Sequence, residues 1–392
     1  MRLLTPLAAA LLMAAPALAD EEAQRYRLLV ADAQVPTVQV VDLGTGAPPV
    51  RFELASTVRL HLAPDGRHAF AIQRDAGTVQ VIDTGRIEED HGDHSALIFD
   101  EPALINAKAT GERPVHFNSG GGRIAVFWDG TGTATLHETT TVADGDFTPL
   151  ATIDTGAPHH GVTVPVGETV ITSLGPEGEG LPDELAVMDL DGTERSRIDC
   201  LNLHGEGKAG SFIAFGCEDG VAVFDIAVSP AKARFLAYPD DAPEGMVRTL
   251  LSPRETLALV GNFGADRLTV FDPSSDTGDF SFVDLPAPRM AFVLDEAGNV
   301  GFAILADGRL VRFSALTGRI LDEAENVTGT YSMERGVVRP MMASAGDRVV
   351  VSDPAAGEIV VLDANTLKTE RLQVGGAPRS LIILAVEADH ED

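Results

Sequence analysis

TVRLHLAPDGRHAFAIQRDAGTVQVID, residues 57–83, decides the fold. A short apolar strand is followed by a turn at Pro64-Asp65-Gly66. A second strand, HAFAI, reaches another turn at Arg74-Asp75-Ala76-Gly77. The stretch then closes on VQVID, an apolar strand that ends in an acid. Short runs of alternating apolar and β-branched residues, broken by Gly/Asp turns, describe antiparallel sheet rather than helix.

The same sentence is written along the whole chain. The closing strand recurs as VQVVDLGTG, ATLHE, LAVMDLDG, VAVFDI, LTVFDPSSD, LVRFSALTG and IVVLDANTL. The opening pair recurs as HFNSGGGRIAVFW, FVLDEAGNVGFAI and MASAGDRVVVS. Aligning the first strand of each unit puts His61, His116, His160, His204, Thr249, Ala291, Met341 and Ile382 in one column. Four-stranded units of this length specify an all-β β-propeller. The count predicts eight blades, or seven if one weak unit is an insertion. The last unit supplies only APRSLIILAVE. The strands it lacks stand at the other end, as RYRLLVAD, TVQVVDL and PVRFELA, so the N-terminal segment is expected to close the final blade and remove the free edge. Arg86–Ser95 (RIEEDHGDHS) and Leu174–Asp183 (LGPEGEGLPD) read as hydrophilic insertions between strands.

Residues 1–19 read as a secretory signal: Arg2, an apolar run from Leu3 to Ala15, and an Ala17-Leu18-Ala19 cleavage site. The remainder, 20–392, is expected to be one soluble, exported domain, with the periplasm the best fit. A formal net charge of −30 argues against nucleic acid or an anionic membrane as partner. Nothing after the leader is long and apolar enough to span a bilayer. In an oxidising compartment Cys200 and Cys217 should pair. Their midpoint falls in GEGKAG, which predicts a cross-strand bridge within one hairpin, stabilising by about 3 kcal/mol. A thiolate metal pair is the other reading.

Of ten histidines, four fall in the column. In a propeller, equivalent positions converge near the axis, and imidazoles gathered there make a metal site. The evenly spaced His116, His160 and His204 are the leading ligands, with His61 as a fourth. His159 should face away from its neighbour His160. Six arginines lie near the same column: Arg59, Arg113, Arg248, Arg289, Arg339 and Arg379. They could hold an anion or support the ligands from behind; an all-cationic lining repels a metal, so they are expected to be paired with acidic neighbours. A second cluster, Glu88-Glu89-Asp90-His91-Gly92-Asp93-His94, reads as a flexible auxiliary segment. There Asp90, His91, Asp93 and His94 would capture or hand over a divalent cation. No nucleophile elbow, P-loop, dinucleotide fingerprint, metalloprotease His-Glu-x-x-His or haem-attachment motif is present. An enzyme would need an open metal position and a base such as Glu206. A metal-free interaction scaffold, with structural histidines, is the other competitor.

DHGDH in an early loop, followed by RPVHF, APHHGV and CLNLHGEG, resembles the AztD-type periplasmic zinc metallochaperones that serve zinc ABC transporters. The likeness spans the mature chain. It implies Zn(II) held inside the propeller and passed to the transporter's zinc-binding protein, with no catalysis. Ligand roles pass to His116, His160 and His204, less directly to His61, and an auxiliary role to His91 and His94. A monomer without nucleic-acid or membrane contacts is expected. The choice of zinc comes from the resemblance, because imidazole sites alone favour Cu(II) over Zn(II).

Overall fold

The computed structural model describes residues 24–387 except 91, 93, 94, 177, 179 and 253–255. Eight four-stranded antiparallel sheets form the eight blades of a propeller. Going round the ring, the inner strands of blades 1 to 8 are Arg59–Leu62, Pro114–Gly120, Thr163–Val166, Glu206–Ala209, Leu250–Leu251, Arg289–Leu294, Met342–Ala345 and Pro378–Glu387. The repeat column marks where the chain enters each inner strand. Among the described residues, one short helix, Thr139–Ala143, interrupts the sheets, and no helix is long and apolar enough to cross a membrane.

The ring closes as the truncated last repeat requires. Gln24–Asp32 pairs antiparallel with Pro378–Glu387, from Gln24 opposite Glu387 to Asp32 opposite Pro378. Closing the ring in this way covers the edge that the single strand of the last repeat would otherwise leave open.

Cohesion comes from apolar faces packed between neighbouring blades. Val162, Ile171 and Val187 of blade 3 meet Ile213, Phe215 and Phe224 of blade 4. Leu29, Val38 and Val40 of blade 8 meet Leu60, Ala69 and Ile82 of blade 1. Phe215 and Phe224 are fully buried, each contributing about 1.5–3 kcal/mol.

Two expectations are corrected. Cys200 and Cys217 are bonded, with Cα atoms 5.0 Å apart, but not across one hairpin. Glu206 pairs with Phe215 and Ala209 with Phe212, so the turn is Gly210-Ser211 and GEGKA is mostly the strand itself. The hairpin centre therefore sits about two residues beyond the cysteine midpoint. Cys200 follows the outer strand Glu194–Asp199 of blade 3, and Cys217 follows the second strand Phe212–Gly216 of blade 4. The bond ties two blades together and encloses the connector that carries His204.

The acidic insertion also differs from a flexible segment. Arg86–Asp90 and Ser95–Phe99 form a two-stranded ribbon, from Arg86 opposite Phe99 to Asp90 opposite Ser95. Arg86 Nε donates to Ala385 O at 3.3 Å, and the Arg27 guanidinium lies 4.6 Å over the Phe99 ring. Asp90 is exposed at the end of its strand; His91, Asp93 and His94 lie outside the described residues. The ribbon leaves the strand Thr78–Asp83, which runs parallel to Arg59–Leu62 because both are antiparallel to His68–Gln73. It is thus rooted where the inner strands end, at the face opposite the one where the histidine column enters.

Candidate metal centre

The site is built where the inner strands of blades 2, 3 and 4 begin. Blade 2 contributes His116 through an irregularity. Pro114 pairs with Trp128 and Phe117 with Val126, so one extra residue bulges from the inner strand. Phe117 packs inward, its ring 4.5 Å from Phe70, while the His116 ring lies 4.7 Å from that of His160.

In blade 3 the adjacent histidines take opposite roles, although both precede the strand Thr163–Val166, so strand alternation is not what separates them. His159 is buried and satisfied: Nδ1 is 2.7 Å from Ala157 O, Nε2 is 3.0 Å from Ser173 Oγ, and its ring meets Phe127 edge-on. Gly161 makes this possible. A Cβ there would lie 2.3 Å from Phe127 Cζ and 2.5 Å from His159 Nε2. His160 turns the other way, and its Nε2 sits 3.2 Å from His116 Nε2.

Blade 4 contributes His204 from the connector enclosed by the disulfide. Its backbone N–H donates to Gly216 O at 3.0 Å, and its ring centroid is 6.0 Å from that of His160. His61, in blade 1, stacks at 5.4 Å on Phe117, and its buried Nε2 has no partner among the described residues.

Supporting contacts fix the tautomers. His160 Nδ1 lies 2.9 Å from Oδ2 of Asp129, a buried carboxylate at the end of Arg123–Trp128. His204 Nδ1 lies 3.0 Å from the carbonyl of Arg248. An acceptor at Nδ1 places the proton there, so each Nε2 presents a lone pair to the channel. Tetrahedral zinc with Zn–N bonds of about 2.0–2.1 Å separates two nitrogen donors by about 3.3 Å. The His116–His160 spacing matches that requirement. Among the described residues no three His, Cys, Asp or Glu side chains already converge on one point; the pair does, and His204 stands one ring away.

Burial shapes the titration of these groups. It pushes His116 down to about 3, helped by the charges of His160 and Arg59. It pushes His61 down to about 4, with Arg59 adding to the effect. His204 is also lowered, mainly by burial and against the pull of the Arg248 carbonyl. His61 and His116 are therefore neutral near pH 7, the form that binds metal.

Glu206 opens the inner strand of blade 4. Burial pushes its carboxyl up, partly offset by Asn118 and His160; it is part-buried rather than the surface carboxylate its sequence context suggested. Asp129 was missed altogether. It follows an ordinary strand in a different blade from His160, and no local pattern links the two.

The arginines contradict the expected pairing. Arg339 donates to the carbonyls of Met333 and Glu334. Arg59, Arg113, Arg248, Arg289 and Arg379 have no carboxylate partner among the described residues, and Arg289 leaves a buried Nε unsatisfied. Asp83, Glu184, Glu323 and Asp363 instead pair with Arg67, Arg197, Arg309 and Arg348.

No family model matches the chain. The zinc chaperone AztD of Citrobacter koseri (strain ATCC BAA-895 / CDC 4225-83 / SGSC4696) is 32% identical over 388 residues, covering 96% of this chain and 91% of that protein. The crystal structure of Citrobacter koseri AztD superposes with a TM-score of 0.85 at 31% identity, covering 93% of this chain and 98% of that one. The structure of apo AztD from the same organism gives 0.84 at 30% identity, with 93% and 99% covered. The dihydro-heme d1 dehydrogenase NirN shares the fold alone: TM-score 0.61 and 13% identity, over 91% of this chain and 74% of that one.

Proposed function

The chain belongs to the AztD family of zinc chaperones, and from that premise we propose that it carries Zn(II) on the channel histidines and delivers it to the zinc-binding protein of an ABC importer. His116 and His160 are the anchoring ligands, His204 the third, and His61 or Glu206 completes the set. The observation that carries this reading is the pair of Nε2 atoms 3.2 Å apart, with the His160 proton held on Nδ1 by Asp129. In this reading residues 1–19 are a cleaved export signal, 20–392 act as one periplasmic domain, and the protein works as a monomer.

The ribbon formed by Arg86–Asp90 and Ser95–Phe99, with Asp90 and the sequence neighbours His91, Asp93 and His94, serves as the auxiliary capture or hand-over arm. Because it is rooted at the opposite face, zinc exchanged through it passes along the channel. Burial holds His116 well below the ordinary imidazole range, in the neutral form that binds metal. Release proceeds by ligand exchange with the acceptor.

The test is zinc binding and transfer by the H116A/H160A/H204A variant. The tight site should disappear, and transfer to the acceptor protein with it. Unchanged stoichiometry and affinity would refute the assignment. A second reading is a zinc hydrolase with Glu206 as base, favoured by that carboxyl's raised pKa beside His160. Turnover of ester or lactone substrates by the zinc-loaded protein, lost in E206Q, would support it.

A further inference from the structure

The longest connector between blades stands on the face where the histidine column enters. Residues 325–341 join the outer strand Ile320–Ala324 of blade 6 to the inner strand Met342–Ala345 of blade 7. The first half is anchored. Tyr331 N–H donates to Ala306 O at 2.8 Å, its hydroxyl donates to Asp353 Oδ1 at 2.5 Å, and Gly329 N–H donates to Asp353 Oδ2 at 3.1 Å. The next six residues, 332–337, are all exposed. Among the described residues, no backbone group from 332 to 340 bonds to other backbone. The turn is held instead by Arg339, whose guanidinium reaches back to the carbonyls of Met333 and Glu334.

This loop presents apolar side chains to solvent. Met333 and Val337 are each 39% exposed and Met341 is 42% exposed, and Leu201 is exposed on the connector that carries His204. Single exposed apolar residues are ordinary, whereas several on one closed loop make a contact surface. Methionine adapts its shape to a partner, and methionine and arginine are both enriched at protein interfaces. The location is informative too. Met341 and His160 hold the same place in their repeats, and blades 7 and 3 stand opposite in the ring of eight, so they face each other across the channel mouth. His160 keeps 38% of its side chain exposed there. A protein resting on the loop can therefore reach the site directly. Exposed arginines mark the same face: Arg335 on the loop, and Arg113, Arg248 and Arg379 beside the column. None has a carboxylate partner among the described residues, so each offers its charge to a partner.

We propose that residues 332–341 are the surface on which the zinc acceptor docks, and that the matching face of the acceptor has an apolar centre rimmed by carboxylates. Delivery then takes place on the histidine face, opposite the ribbon. The identity of the partner rests on the reading above; the surface does not. Met333, Val337 and Met341 hold the complex by apolar contact, while the arginines speed encounter and make it sensitive to salt. Docking here brings the acceptor's ligands to the exposed edge of His160, where exchange begins.

The probe is the importer's zinc-binding protein, metal-free and immobilised, with the full chain bound to it in biolayer interferometry. The wild-type chain should bind saturably. H116A/H160A/H204A should bind within a few-fold of it, so failure of the zinc reading and failure of the docking surface are distinguishable. M333E/V337E should weaken binding and slow zinc transfer by about tenfold or more, with its melting curve and zinc affinity unchanged. M333S/V337S, which removes apolar area without adding charge, should fall between; this variant serves if the double Glu change disturbs folding. R335E should weaken binding several-fold, and wild-type affinity should fall as salt rises. L316E, at an exposed apolar residue on the opposite face, should leave binding and transfer unchanged. Three results would overturn the proposal: no saturable binding by the wild-type chain, equal binding and transfer in M333E/V337E, or a dimer of this chain that M333E/V337E abolishes.

Discussion

Asp129 holds His160: its Oδ2 lies 2.9 Å from Nδ1 and leaves Nε2 aimed at His116. The carboxylate is buried and its other oxygen, Oδ1, has no partner among the described residues, so its role is to orient the imidazole. Replacing Asp129 with Ala should lower zinc affinity about 10–100-fold. Asn, which keeps an acceptor, should cost less. Competition with a chromophoric chelator measures both, and equal affinities in wild type and D129A would remove this contact from the site.

The disulfide links structure to the third ligand. Removing it in C200S/C217S should cost about 3 kcal/mol for a loop of this size, read as a lower urea midpoint. It should also weaken zinc binding, because the connector bearing His204 is enclosed by that bond. A loss of stability with zinc affinity intact would show that His204 is held by its backbone bond to Gly216 alone.

Gly161 separates two histidines with different tasks. Ala at this position would drive a methyl into Phe127 and the His159 ring. The expected cost is about 1–3 kcal/mol, with a fall in zinc affinity as His160 is displaced. Thermal unfolding and chelator competition on G161A check the two effects separately.

The depressed imidazoles make the metal-free protein sensitive to acid. In the unfolded chain histidine titrates near 6.5, against about 4 for His61 and about 3 for His116 in the fold. As pH falls below about 6.5 the unfolded state takes up these protons first. The stability is fully present above that value and declines until the folded groups titrate. Urea midpoints of the metal-free protein should therefore fall between pH 6.5 and 4.5. H61N/H116N should flatten that slope. A flat profile in the unsubstituted chain would contradict the burial argument.

Repetition made the architecture legible in the sequence. Eight copies of one strand phrase gave the blade number, and a final repeat with one strand predicted closure by Gln24–Asp32. The column also placed His116 and His160 together, because equivalent positions on a ring converge. What it could not show depends on pairing in space. The cysteine bridge was misread because the hairpin turns at Gly210-Ser211 rather than within GEGKAG. The acidic insertion reads as a loop because only the register of Arg86–Asp90 against Ser95–Phe99 makes it a ribbon. Asp129 reaches His160 from another blade. The column arginines read as ordinary salt bridges, because sequence does not show that their neighbours in space are carbonyls, as for Arg339, rather than carboxylates.

Zinc K-edge X-ray absorption on the loaded protein tests the central claim most directly. The account predicts a nitrogen/oxygen shell at about 2.0–2.1 Å with imidazole scattering and no sulfur, and loss of most imidazole scattering in H116A/H160A. A shell of carboxylate oxygens alone, or a spectrum unchanged by H116A/H160A, would contradict it.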